Sequence, residues 1–268
     1  MRKALLGLLA LSSLSAFAYD ETPFQQFDNQ YNVGYSLTNV LLSNGATYQT
    51  MQQNQFVNLE VERLFSAGVW MDVGASFLVQ TNSLGNQATG TGQGLQPLTQ
   101  DPALAGLNAK VGWAFPIVKN HLLITPYVLA GRNTNTAMST ITANNQQNIT
   151  NDFFYTGGVG ARLEYRVNNW LDLYADQNAA YNWDQSQPIG GIMPQNNMVY
   201  TSTLGAKFNV VKNLQLGING FYNNYQYMAT APATGATNGG FSTVTGQPYS
   251  IYQPQYQLGG MVTVGLTY

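Results

Sequence analysis

The sequence predicts an all-β protein: an up-and-down antiparallel transmembrane β-barrel. Three observations predict it. Apolar and polar residues alternate with period two in ten separate segments. Short and long connections follow one another strictly between those segments. Only 8% of the residues are charged, against about 25% in an ordinary soluble domain.

That charge content cannot cover a water-facing surface. Hydrophobic content is nevertheless only 44%, and mean hydropathy is −0.15. No segment approaches the roughly 20 apolar residues of a membrane-spanning helix. A transmembrane barrel reconciles the two, because lipid meets only every second residue of each strand.

Residues 1–18 read as a secretory signal peptide. Arg2 and Lys3 form a basic start, residues 4–14 an apolar run, and Ala16-Phe17-Ala18 a small-x-small cleavage pattern. Without Arg2 and Lys3, eight basic residues face twelve acidic ones, which excludes a basic nucleic-acid footprint. There is no cysteine, hence no disulfide and no thiolate metal site. Residues 19–30 read as a short periplasmic segment and residues 31–268 as the barrel.

The ten segments, in order, are 31–42, 54–65, 69–80, 105–115, 122–132, 153–166, 170–183, 199–210, 214–227 and 254–268. Each is long enough to cross a bilayer, which takes roughly 9–11 tilted residues. Ten is the count read; eight and twelve are the alternatives. The short connections, 65–68, 116–121, 167–169 and 211–213, each hold Gly, Pro or Asn, the residues tight turns need. The long ones, 43–53, 81–104, 133–152, 184–198 and 228–253, are rich in Gly, Asn, Gln, Thr and Ser. Barrels of the outer membrane place short turns in the periplasm and long loops outside, so both ends of the barrel fall on the periplasmic side.

Alternation makes a prediction about charge. Arg or Lys at the bilayer midplane costs about 2–4 kcal/mol, so strand-interior charges should avoid the lipid face. In the second segment Val57, Leu59 and Val61 share one face, and Glu60 and Glu62 the other. Asp72 opposes Met71 and Val73, and Lys110 opposes Leu107, Ala109 and Val111. Arg162, Glu164 and Arg166 oppose Val159, Ala161, Leu163 and Tyr165. Asp172 and Asp176 oppose Leu171, Leu173 and Ala175, and Lys207 opposes Leu204, Ala206 and Phe208. Arg63 has the other parity, but it adjoins a turn and can snorkel. The segment 122–132 is apolar on both faces, so its inward side is not assigned. Aromatics gather at the strand ends, Trp113, Tyr165, Trp170 and Tyr268 near short turns, and Tyr155, Tyr181, Trp183 and Tyr222 near long loops, as two interfacial girdles would require.

The last residues, with Val262, Val264, Leu266 and the terminal Tyr268 on one face, resemble the C-terminal strand of Gram-negative outer-membrane proteins. Residues 125–131 (TPYVLAG) and 157–165 (GGVGARLEY) resemble strands of small barrels of the OmpA and OmpW type, which have eight strands where ten are read here. The resemblance implies an outer-membrane location among lipid and lipopolysaccharide. It also implies that the barrel assembly machinery reads the terminal strand.

Little in the sequence offers catalysis. His121 is the only histidine, and it falls in a short turn. Gly90-x-Gly92-x-Gly94 neither follows a strand nor opens a helix, so it reads as loop and not as a phosphate cradle. No enzyme activity, cofactor or metal is expected. The chemistry lies in the inward charges Glu60, Glu62, Asp72, Lys110, Arg162, Glu164, Arg166, Asp172, Asp176 and Lys207. Confined charges must be paired or hydrated. They form either a salt-bridge network filling a closed barrel or the constriction of a narrow pore, whose acidic surplus would favour cations. The expected role is structural, or passive passage of small solutes. The alternative is a surface adhesin or receptor binding a ligand through long loops that carry Phe241, Tyr249 and Tyr252.

Overall fold

A computed structural model describes residues 22–43, 48–84, 95–98, 103–135, 139–141, 147–149, 152–184, 198–230 and 250–268. A helix, α1 (Thr22–Asp28), comes first. The strands that follow are β1 (Gln30–Ser43), β2 (Tyr48–Leu64), β3 (Val69–Leu84), β4 (Leu95–Leu98), β5 (Ala103–Trp113), β6 (Phe115–Val118) and β7 (Leu122–Asn135). Then come β8 (Ser139–Ile141), β9 (Gln147–Ile149), β10 (Asp152–Arg166), β11 (Leu171–Asp184), β12 (Met198–Val211), β13 (Leu214–Thr230) and β14 (Ser250–Thr267).

Ten of these strands form a closed ring. Each long strand pairs antiparallel with the next long strand in sequence, and β1 pairs with β14 to shut the seam. β4 and β6 extend the sheet beside β3 and β7, and β8–β9 form a separate hairpin. A ring leaves no edge strand with unpaired backbone groups, the condition for spanning lipid. The ten segments read from alternation are these ten strands.

Their limits differ in an instructive way. β2 begins at Tyr48, β13 runs to Thr230 and β14 starts at Ser250, each several residues further toward the long loops than the hydropathy pattern reached. There the added residues, 48–53 (YQTMQQ), 228–230 (MAT) and 250–253 (SIYQ), mix polar and apolar types without a clean period of two. Backbone pairing continues after the alternation of hydropathy has ended. The expected turn 116–121 is likewise shorter, because β6 pairs Phe115 and Pro116 with Ile124 and Leu123. Tight turns use left-handed backbone at Gly68 (φ 80°), Asn120 (66°) and Asn213 (69°), which Gly and Asn accept most readily.

The two faces separate as the alternation requires. Leu59, Val73, Leu107, Val111, Val159, Leu163, Leu173 and Leu204 point outward and exposed. So do Val262, Val264 and Leu266 on β14 and Tyr268 just past it, beside the β1 seam, where Tyr31 stacks on Tyr268 with ring centroids 4.8 Å apart. Trp170–Phe208 and Tyr222–Tyr256 stack near opposite ends of the wall. Arg63 lies exposed over the Phe65 ring, 4.6 Å from its centroid, and within reach of Tyr268. β7 resolves its ambiguity: Leu123, Thr125 and Tyr127 are buried inside, and Val128 is outside.

Leu123 is apolar and inward because α1 lies against it. Of the stretch expected as a periplasmic segment, residues 22–28 lie inside the short-turn end of the barrel. Pro23 suits a first helical turn, and Phe24 and Phe27, three residues apart, share one face. Phe24 packs with Leu64, Trp70, Ala114, Leu123 and Tyr127 in one buried cluster. Just past the helix, Asn29 accepts a hydrogen bond from the Leu64 N–H at 2.8 Å through its side chain. Its carbonyl accepts from the Tyr268 N–H at 3.3 Å. The proposed cleavage residues Ala16 and Ala18, and the loop aromatics Phe241 and Tyr249, lie outside the described residues, as does the Tyr252 side chain.

Candidate functional site in the barrel lumen

Strand pleating aims every second side chain at the axis. This brings Glu60 and Glu62 from β2, Asp72 from β3, Lys110 from β5, Arg162 and Glu164 from β10, Asp172 and Asp176 from β11, and Lys207 from β12 into one interior. They sort into two clusters.

The first cluster meets α1. Lys207 Nζ lies 2.7 Å from Asp28 Oδ1, 2.8 Å from Glu62 Oε2 and 3.7 Å from Glu164 Oε1. It also donates to the Phe27 carbonyl at 3.3 Å. Arg162 forks between Glu62 Oε1 at 2.9 Å and Glu164 Oε1 at 2.8 Å. Its guanidinium lies over the Tyr174 and Trp70 rings, 4.3 and 5.5 Å from their centroids. Trp70 Nε1 donates to Glu62 Oε1 at 3.0 Å, and Gln30 to Glu62 Oε2 at 2.6 Å. Both oxygens of Glu62 are therefore fully engaged. Gln215 and Asn209 donate to the Phe27 and Gln26 carbonyls, which caps part of the helix end.

The second cluster adjoins it. Lys110 Nζ sits 3.3 Å from both Asp72 Oδ2 and Asp176 Oδ2. The Tyr127 hydroxyl donates to Asp176 Oδ1. Tyr127 reaches that position because Gly160 stands opposite. A Cβ there would collide with the phenol ring and hydroxyl.

Three predicted residues behave differently. Glu60 accepts from Asn32 at 3.1 Å and makes no ion pair among the described residues. Arg166 is half-buried and turns to the Asn169 side chain, so it belongs to the β10–β11 turn. Asp172 is 0% exposed, yet neither of its oxygens has a hydrogen-bond partner among the described residues. His121 is exposed, its Nδ1 lying 3.2 Å from the Arg166 carbonyl oxygen.

Asp28, Gln30, Trp70, Tyr127 and Tyr174 join the site without having been named from sequence. Trp70 and Tyr174 carry the parity of Asp72 and Asp172, and that signal was available. Asp28 precedes the first strand and has no periodic signal at all. Burial, reinforced by Glu164, pushes the Asp28 carboxyl well above the usual carboxylate range, although Lys207 acts against it.

Beyond the charges the lumen is neutral and polar. Ser36, Asn58 and Ser76 form one cross-strand hydrogen-bond ladder, and Asn108, Asn133, Thr156 and Asn182 another.

The closed ring, apolar outer belt and charged interior define an outer-membrane-type β-barrel. Neither a protein-family model nor a curated protein sequence matches the chain. Among solved structures, it is similar to an outer membrane channel from Pseudomonas putida F1 at 10% identity, with a TM-score of 0.44 over 87% of this chain and 95% of that one. It is similar to the β domain of the Bordetella autotransporter BrkA at 9% identity, with a TM-score of 0.43 over 90% and 100%. A third is the Escherichia coli outer membrane protease OmpT, at 8% identity and a TM-score of 0.40 over 89% and 94%.

Proposed function

We propose that the protein is a narrow channel of the outer membrane for small hydrophilic solutes, held closed at its periplasmic mouth by α1. One observation carries this reading: the helix is seated by side chains of its own against the charged floor, and the interior beyond it is lined by neutral amide and hydroxyl side chains. Ten strands lie close to the eight that give a side-chain-filled interior, far from the 16–18 of wide porins. Only small solutes fit such a bore once the helix leaves. The acidic surplus of the floor favours cations. The solute passes unchanged, and the reading assigns no catalytic step. The outward belt contacts lipid and lipopolysaccharide, and the terminal strand is the segment the assembly machinery reads.

The test is single-channel conductance in planar bilayers, comparing the refolded mature chain with a variant lacking residues 22–28. The intact chain should conduct rarely, and the variant should open in discrete, cation-preferring steps weakened by Asp72→Asn. Silence from both, with each shown to be folded by its β circular dichroism, would make the lumen a permanent plug and the protein structural.

A further inference from the structure

The apolar outer belt is interrupted on β11 and β12. Gln177 and Ser202 form a cross-strand pair there. They have the parity of the exposed residues Leu173 and Leu204, so both point away from the lumen. Gln177 itself is exposed. It follows Trp170 by seven residues and precedes Trp183 by six, and both tryptophans are exposed girdle residues. At about 3.3 Å per residue and a tilt of roughly 45°, the amide lies about 14–16 Å from each girdle. That is the middle of the hydrocarbon, where neither water nor a lipid headgroup reaches.

The bonds within the pair do not satisfy it. The Ser202 hydroxyl donates to Gln177 Oε1. Among the described residues, Gln177 Nε2 approaches one acceptor, the carbonyl of its neighbour Asn178, at 3.5 Å. That is beyond the roughly 2.7–3.2 Å of a sound N–H···O bond. A side-chain amide brings two N–H donors, and a bare donor is costly in hydrocarbon. The residues around the amide are small. Ala175 and Ala179 flank it on β11, and Ala161 faces it from β10. Other arcs of the belt carry Leu59, Val73, Val111 and Val128. Membrane-embedded segments associate through surfaces of the first kind, because small residues let backbones approach and a polar group supplies the bond.

We propose that the outer face of β10, β11 and β12 around Gln177 is where two copies of this chain meet within the membrane. The patch is self-complementary, which selects a second copy as its occupant. A two-fold axis sets the same residue of each copy face to face. An amide holds donor and acceptor together, so Gln177 can bond its own counterpart and use the donor that lipid leaves bare. The outward residues of these three strands carry no charge, so nothing repels a like surface. The contact lies on the outer wall and does not depend on whether the lumen conducts.

The chain has no cysteine, so a single introduced one reports contact. Ala161→Cys, beside Gln177, and Leu59→Cys, on the opposite arc of the ring, are each refolded into phosphatidylcholine vesicles and treated with a short bismaleimide. Ala161→Cys should give covalent dimers at protein-to-lipid ratios where Leu59→Cys gives none. Adding Gln177→Leu to Ala161→Cys should raise the ratio needed on the order of tenfold. Leucine suits a lipid face, so Gln177→Leu should unfold in urea no earlier than wild type, which separates lost contact from lost folding. Equal cross-linking at the two positions, or none at either, would overturn the proposal. So would a yield from Ala161→Cys that Gln177→Leu leaves unchanged. A dimer that never conducts would keep this interface and lose only the channel reading.

Discussion

The Lys207 ammonium lies 2.7 Å from Asp28 Oδ1 across 179 residues of sequence. It joins a strand of the wall to the helix in the mouth, and it shares the same nitrogen with Glu62 on the far side of the seam. Both partners are almost wholly buried. In this geometry the loss of one partner leaves a bare buried charge, which costs more than the pair contributes when intact.

Lys207→Met should therefore destabilise the folded barrel by about 3–5 kcal/mol, read from urea unfolding in detergent. Adding Asp28→Asn should restore part of that loss, because the two sites are coupled. Strictly additive effects would show that the pair does not hold the helix.

Phe27 is fully buried at the end of α1. Phe27→Ala removes a contact of the size that costs about 3–5 kcal/mol in a core. Here the loss should fall on docking of the helix and leave the ring intact. Limited proteolysis should then cut near residues 22–28 while the strands stay protected. Protection equal to wild type would mean that the helix is held by its polar contacts alone.

Gly160 leaves the space that Tyr127 fills on its way to Asp176. Gly160→Ala should push the phenol aside, break that hydrogen bond and cost about 1–3 kcal/mol. The Tyr127→Phe variant, which loses the hydroxyl but keeps the ring, should cost less. If Gly160→Ala unfolds at the wild-type urea midpoint, the ring has room that the structure does not show.

Leu204 points outward midway along β12 and is 68% exposed. Leu204→Arg should cost about 2–4 kcal/mol in a bilayer, whereas Val210→Arg, beside the Lys212–Asn213 turn, should cost about 1 or less. Folding titrations in lipid vesicles measure both. Equal costs would remove the membrane assignment of that face.

Much of the wall was legible because it rests on local physics. A strand between lipid and a polar lumen must alternate, so Leu59, Val73, Val159 and Leu204 marked one face and Glu62, Asp72, Arg162 and Lys207 the other. Where local physics fell silent, reading failed. The ends of β2, β13 and β14 nearest the long loops pair without alternating. The segment around Leu123 and Tyr127 is apolar inside because of a helix, Thr22–Asp28, that lies far earlier in the chain. Arg166 has lumen parity, yet the Asn169 side chain beside it in the turn draws it away from the network.

By itself, then, the sequence determined the class of fold and a reading of ten strands with eight and twelve left open, since both follow from a period-two pattern within one segment. Only the tertiary structure decided which charges meet, that Asp172 finds no hydrogen-bond partner among the described residues, and that residues 22–28 pack inside the short-turn end. Those facts depend on the ring closing through β1 and β14. Closure sets the distances between side chains far apart in the chain, and no local pattern encodes them.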